Sequence, residues 1–180
     1  VSGLVLGIMI GIGKKKEKHT PHNLLITLIG GILVWLGWYG FNVGSAFTFD
    51  HIAMISFVNT VIGASAGAFG WLIFEYILKK TTSLLGLLSG ALSGLVAITP
   101  AAGYVSYMSA MIIAIIGGIC CYIVINLIKV KLQYNDALDA FGIHGVGGIL
   151  GAVLTGVFQS HQINSAVQNG FIYTADFKVV

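Results

Sequence analysis

Two short stretches hold residue types that could do chemistry. In DAFGIHGVGG, residues 139–148, Asp139 and His144 interrupt a chain that otherwise avoids ionisable groups over long runs. An imidazole with an ordinary pKa of ~6.5 can donate, accept or carry a proton near neutrality. Gly142, Gly145, Gly147 and Gly148 leave room beside the ring, which suits something passing it. In WLGWYGFNVGS, residues 35–45, Trp38, Phe41 and Ser45 are spaced i, i+3 and i+7 and so share one helical face. Aromatic faces attract cations by ~0.5–2 kcal/mol, depending on desolvation, and Ser45 adds a hydroxyl. Two readings fit this face: a cation-recruiting surface, or ordinary packing within an interfacial aromatic belt.

The solvent around these residues decides what they can do. Hydrophobic residues make up 57% of the 180, charged residues only 8%, and the mean hydropathy is +0.94. Such a composition belongs to a membrane chain. About 20 helical residues cross the hydrocarbon, and apolar runs of that order lie near 23–47, 53–78, 83–103, 107–128 and 137–158. The predicted fold class is an all-α membrane protein, a polytopic helical bundle with five complete spans. Residues 1–13 are apolar but too few to span, and they lack the flanks of a signal peptide. They read as the tail of a truncated helix whose start lies upstream.

Lysines orient the bundle, because short loops rich in Lys or Arg stay in the cytoplasm. The chain has no Arg, and its nine Lys are placed at 14, 15, 16 and 18, at 79 and 80, at 129 and 131, and at 178. Loops 14–22, 79–82 and 129–136 are therefore expected to be cytoplasmic. The lysine-free turns FTFDH (47–51) and YVSY (104–107) fall on the other side, as does the final stretch 159–180, where Lys178 is the exception. The net charge of +3 reports topology in a lipid bilayer, and no further basic patch supports nucleic acid as a partner. Cys120 and Cys121 are adjacent in an apolar span, cannot form an ordinary disulfide with each other, and read as small core residues.

Small residues recur every four positions at Gly86, Gly90 and Gly94, at Gly148, Ala152 and Gly156, and at Gly63 and Gly67. Such stripes let membrane helices approach closely. Pro100, in AITPAAG, removes a backbone donor, which either kinks a helix or marks a channel wall. Asp136 and Asp139 are placed to cap the last helix and complement its dipole. His144 then lies five to eight residues further in, near mid-membrane, where an ionisable group is a functional hypothesis by default. The competing reading is a neutral ring hydrogen-bonded within the core. Glu75 and Lys79 fit a local i, i+4 ion pair, Asn23 fits a helix N-cap beside His19, Pro21 and His22, and His51 and His161 fall in outer loops without assigned chemistry. A metal centre needs about three converging ligands, and His144 is alone among the spans, so no metal, cofactor or enzymatic activity is expected.

Three stretches taken together, PHNLLITLIGGILVWLGWYGFNVGSA, SGALSGLVAITPAAGYVS and DALDAFGIHGVGGILGAVLTGVF, resemble the ammonium transporter, methylammonium permease and Rhesus family, on its ammonium transporter side. The likeness covers nearly the whole chain, and the third motif is highly specific. It implies an eleven-helix protomer with a pseudo-twofold repeat, assembled as a homotrimer with a pore in each subunit in the plasma membrane, of which this chain supplies the end of the fifth helix through the tenth.

The resemblance also implies roles. His144 matches the second of two pore histidines, the first falling a few residues before Val1. Phe41 resembles one ring of a stacked phenylalanine gate, Ser45 a vestibule serine that hydrogen-bonds ammonium, Trp38 a pore-lining aromatic beneath it, and Asp139 an acid supporting the pore helices. The implied function is transport of ammonium or ammonia, with methylammonium as an analogue. A PII-type signalling protein is the implied cytoplasmic regulator, contacting parts beyond this chain. The alternatives are a non-transporting structural or ammonium-sensing membrane protein and, more remotely, a membrane metalloenzyme.

Overall fold

Four helices of this chain start where a polar side chain replaces the missing partners of the first backbone N–H groups. The computed structural model describes residues 2–10, 22–132, 136 and 138–175, so His19, Pro21 and the lysines at 14–18 and 178 lie outside the described residues. After α1 (Ser2–Ile10), Asn23 Oδ1 accepts from Ile26 N at 3.2 Å to open α2 (Leu24–Gly44). Asp50 Oδ1 accepts from Ile52 N and Ala53 N, at 2.9 and 3.0 Å, to open α3 (His51–Lys79). Ser83 opens α4 (Leu84–Ile98) and Ser106 opens α5 (Tyr107–Ile123) in the same way. The fourth span continues through a π-helical turn, Val124–Ile128, into α6 (Lys129–Leu132). A second π turn, Phe141–Gly145, leads into α7 (Val146–Phe158), and a short α8 (Phe171–Thr174) follows.

Every regular element among the described residues is helical, and five helices are long and apolar enough to cross a membrane: Leu24–Gly44, His51–Lys79, Leu84–Ala101, Tyr107–Lys131 and Phe141–Phe158. Lys79 Nζ donates to Asn126 Oδ1 at 3.3 Å and lies 5.5 Å from the Tyr122 ring centroid. The ends of the second and fourth spans therefore share one side of the bundle, as alternating lysine loops require. Lys79 also lies 3.5 Å from Glu75. That carboxylate, only 5% exposed, accepts from Ser83 N and Ser83 Oγ and so ties the end of α3 to the start of α4.

The core is the three-helix contact of α3, α4 and α5, and small residues set its spacing. A methyl carbon built on Gly94 would stand 2.8 Å from Gly67 Cα, and one on Gly67 would stand 2.6 Å from the Gly90 carbonyl oxygen. Neither position can carry a side chain at this separation. Trp71 fills the core toward the Lys79 end of α3, meeting Tyr122 edge-on at 5.3 Å between centroids. Cys121 is fully buried and Cys120 partly so, both as free thiols. The stripe expected at Gly148, Ala152 and Gly156 behaves differently: a methyl on Gly148 meets no atom within 4 Å and Ala152 is exposed. Instead, Gly147 and Gly151 pack α7 against Val96, Ala97 and Cys121. Both stripes have similar spacing, and only the rotation of α7 about its axis distinguishes them.

Inserting a branched side chain into a packed helix crossing costs ~1–3 kcal/mol or more. Gly94→Val is expected to lower the thermal unfolding midpoint in detergent by many degrees, whereas Gly148→Ala leaves it within about a degree of the parent.

Candidate functional site

Residues of the two chemistry-bearing stretches come together from opposite ends of the chain. The Trp38 and His144 rings stack, with centroids 6.0 Å apart and planes inclined by 12°. Phe41 meets Trp38 edge-on at 6.5 Å. Trp38 lies fourteen positions after Leu24, or ~21 Å along the axis, so the stack is well inside the span. His144 is exposed on the surface of this chain and is not sealed among its helices.

Trp38 is held by a residue that sequence reading did not single out. Its Nε1 donates to Thr99 Oγ1 at 2.7 Å, and Thr99 Oγ1 in turn donates to Leu95 O at 2.7 Å. Thr99 stands at the break before Pro100, where α4 ends and a 3₁₀ turn, Thr99–Ala101, begins. Carbonyls freed by the break find side-chain donors, as they must away from water. Asn59 Nδ2 donates to Ala102 O at 2.8 Å and Val105 O at 2.9 Å, and Asn164 Nδ2 donates to Gly103 O at 3.3 Å.

This turn forms one wall of a cavity of 330 Å³ whose other wall carries Phe41, Asn42 and Ser45. It lies at the end of the bundle opposite Lys79 and Lys129. Ser45 Oγ donates to Phe41 O at 2.6 Å, which commits its proton and leaves oxygen lone pairs to accept from a cation. Asn42 is buried and donates to Thr60 Oγ1 at 3.0 Å. Asp50 is the one formally charged side chain among the lining residues. The Thr48 hydroxyl, 2.7 Å away, and the N–H groups of Ala53 and Ile52 hold its carboxyl below the usual carboxylate range. Cavity, Phe41, Trp38 and His144 thus follow one another along the bundle.

The two other predicted acids start the His144 helix. Asp136 is buried, and its carboxylate accepts from Ala140 N, Phe141 N and Gly142 N at 2.9, 3.0 and 3.3 Å. Asp139 adopts a left-handed φ of 54° and pairs with Lys129 Nζ at 2.6 Å. His161 Nδ1 approaches Val167 O at 2.8 Å in the loop after α7, far in sequence from this cluster. Among the described residues, no three His, Cys, Asp or Glu side chains gather as a metal site would require.

The sequence model of the Ammonium Transporter Family matches residues 1–180. The chain belongs to this family. It is 50% identical over 173 residues to an ammonium transporter of Bacillus subtilis (strain 168), an alignment that covers 96% of this chain and 43% of that one. Its fold is similar to the crystal structure of Candida albicans Mep2, with a TM-score of 0.86 and 31% identity over 98% of this chain and 41% of the other. It is also similar to a solved "Sensor Amt Protein", with a TM-score of 0.80 and 30% identity over 89% of this chain and 41% of that one. The chain therefore spans about two fifths of the length of the relatives it matches. This ammonium transporter family chain is a multi-pass, all-α membrane protein, and its family is one of transporters and not of enzymes.

Sequence reasoning found the aromatic face and the histidine but missed Thr99, Asn42, Asn59 and Lys129. Polar side chains inside apolar spans were the available signal for the first three, since such groups need partners. Replacing one partner of a buried hydrogen bond leaves the other unsatisfied, at ~1–3 kcal/mol. Thr99→Val is expected to cost that amount, read as a lowered unfolding midpoint, while Thr99→Ser retains most of the stability.

Proposed function

We propose that the complete protein carries ammonium or ammonia across the plasma membrane through a narrow apolar passage that runs past His144. The Trp38–His144 stack beside a cavity lined by Phe41 and Ser45 carries this reading. Ammonium is small and strongly hydrated, so taking it intact into an apolar passage is expensive. At the outer mouth, the Asp50 charge raises the local cation concentration, the Phe41 ring face replaces part of the water shell, and the Ser45 oxygen accepts an N–H. Loss of a proton then leaves neutral ammonia to pass the rings, with the His144 imidazole as hydrogen-bond partner or proton carrier. Asp136 and Asp139 support this ring by fixing the start of its helix. The family likeness further supports a homotrimer, methylammonium as an analogue substrate, cytoplasmic faces at loops 14–22, 79–82 and 129–136, and a PII-type regulator on that side.

A sensing role is the second reading, supported by the similarity to the "Sensor Amt Protein". It uses the same cavity but requires no flux.

Two measurements check the proposal in the full-length protein. His144→Ala should reduce or alter ammonium and methylammonium uptake by about ten-fold; wild-type uptake and ion selectivity in that variant would remove the assigned role, and no uptake by the parent would favour sensing. Asp50→Asn keeps an N-cap while removing the charge. Half-saturation should rise by roughly two- to five-fold at low ionic strength, with little change in maximal rate and a difference that shrinks as salt is added. Because the Thr48 hydroxyl and the N–H groups of Ala53 and Ile52 hold the folded-state carboxyl lower than usual, its charge is kept to a lower pH than an ordinary Asp keeps it, and is lost on further acidification.

A further inference from the structure

Lys129 does more than the lysine loops require of it. Its side chain is only 19% exposed, unlike a solvated topology charge. Its Nζ donates to the backbone carbonyl of Asp136 and, at 2.6 Å, to Asp139 Oδ1. These two residues make the start of the His144 helix. The Asp136 carboxylate receives the N–H groups of residues 140, 141 and 142. The Asp139 carbonyl receives Ile143 N at 2.9 Å, and Asp139 N donates to Asp136 O at 3.1 Å. Asp139 also takes the left-handed backbone conformation that turns the chain into that helix, one that Asp tolerates better than most residues.

Two irregular turns bring these groups into line. The π turn Val124–Ile128 directly precedes Lys129, and the π turn Phe141–Gly145 carries His144. Each inserts one residue relative to an α-helix and so rotates everything beyond it by ~100°. The two turns pack together, with Ile125 filling the space left by the missing side chain of Gly142. The direction of Lys129 and the direction of His144 are thereby set by one contact.

We propose that Lys129 is a positioning residue for His144: its ammonium group clamps the Asp136–Asp139 turn and so sets the angle at which the imidazole meets Trp38. This rests on the reading of His144 as the group that the substrate passes. It assigns Lys129 no contact with the substrate.

The test uses the full-length transporter with Lys129→Met, Lys129→Arg and Asp139→Asn, each normalised to the amount of protein in the membrane. Misplacing a reacting group by a fraction of an ångström is felt in turnover before binding. Lys129→Met should lower maximal methylammonium uptake by about ten-fold, displace its pH profile and leave half-saturation within about two-fold, because the outer cavity is untouched. Lys129→Arg should recover most of the rate. Asp139→Asn tolerates the left-handed backbone and covers the case in which Lys129→Met does not accumulate; it should show the same split. Wild-type maximal rate and pH profile in both Lys129→Met and Asp139→Asn would overturn the proposal. A readout independent of flux is the ¹⁵N chemical shift of the His144 imidazole, assigned by its loss in His144→Ala. A shift that moves in Lys129→Met and returns in Lys129→Arg supports positioning even if His144→Ala transports normally and the pore reading fails; an unmoved shift sinks the positioning role alone.

Discussion

Hydrocarbon offers no hydrogen bonds, so every interruption of a membrane helix must be answered by the protein itself. Two departures from regular helix among the described residues, the break at Pro100 and the entry to the His144 helix at Asp136, are where the candidate site is built. At Pro100 the carbonyls released by the break are taken up by the amides of Asn59 and Asn164. At Asp136 one carboxylate gathers three N–H groups that would otherwise face an apolar interior. Removing either set of partners would leave backbone groups unsatisfied, and the neighbouring helices would have to move to find others.

The breaks are useful because they expose groups that continuous helices hide. The first leaves Thr99 free to accept from Trp38 and gives the cavity a wall of irregular backbone. The second lets His144 emerge from a π turn to stack on the same Trp38. Trp38 is thus the point where both interruptions meet, held by its indole nitrogen from one and by its ring face from the other. Rigid support comes from the glycine-lined contact of α3 and α4, whose backbones are too close to slide without collision. The proposed stripping of water from a small cation would depend on such fixed groups, because groups that reorganise give back what they gain.

The family likeness and the geometry bear on different questions. Matching along the whole chain establishes the family, and similarity to both transporter and sensor chains follows from one shared scaffold.

Much of this was legible in the residues. Five apolar runs between polar punctuation, a cap at Asn23, lysines on alternate loops and an isolated imidazole are local facts, and the membrane turns them into spans and ends. Rotation was not legible. A helix that is apolar all round carries almost no directional signal, so nothing local told Gly148 from Gly151, though the first faces open space and the second packs on Ala97. Nor could spacing join Trp38 to His144 or Lys129 to Asp139, because those partners meet only after helices distant in sequence have packed and two π turns have rotated their ends. The sequence by itself determined which segments enter the membrane and which residue types could act there. Tertiary packing alone decided which of them face one another, since that depends on helix rotation and backbone approach, and lipid, being as apolar as the side chains, imposes neither.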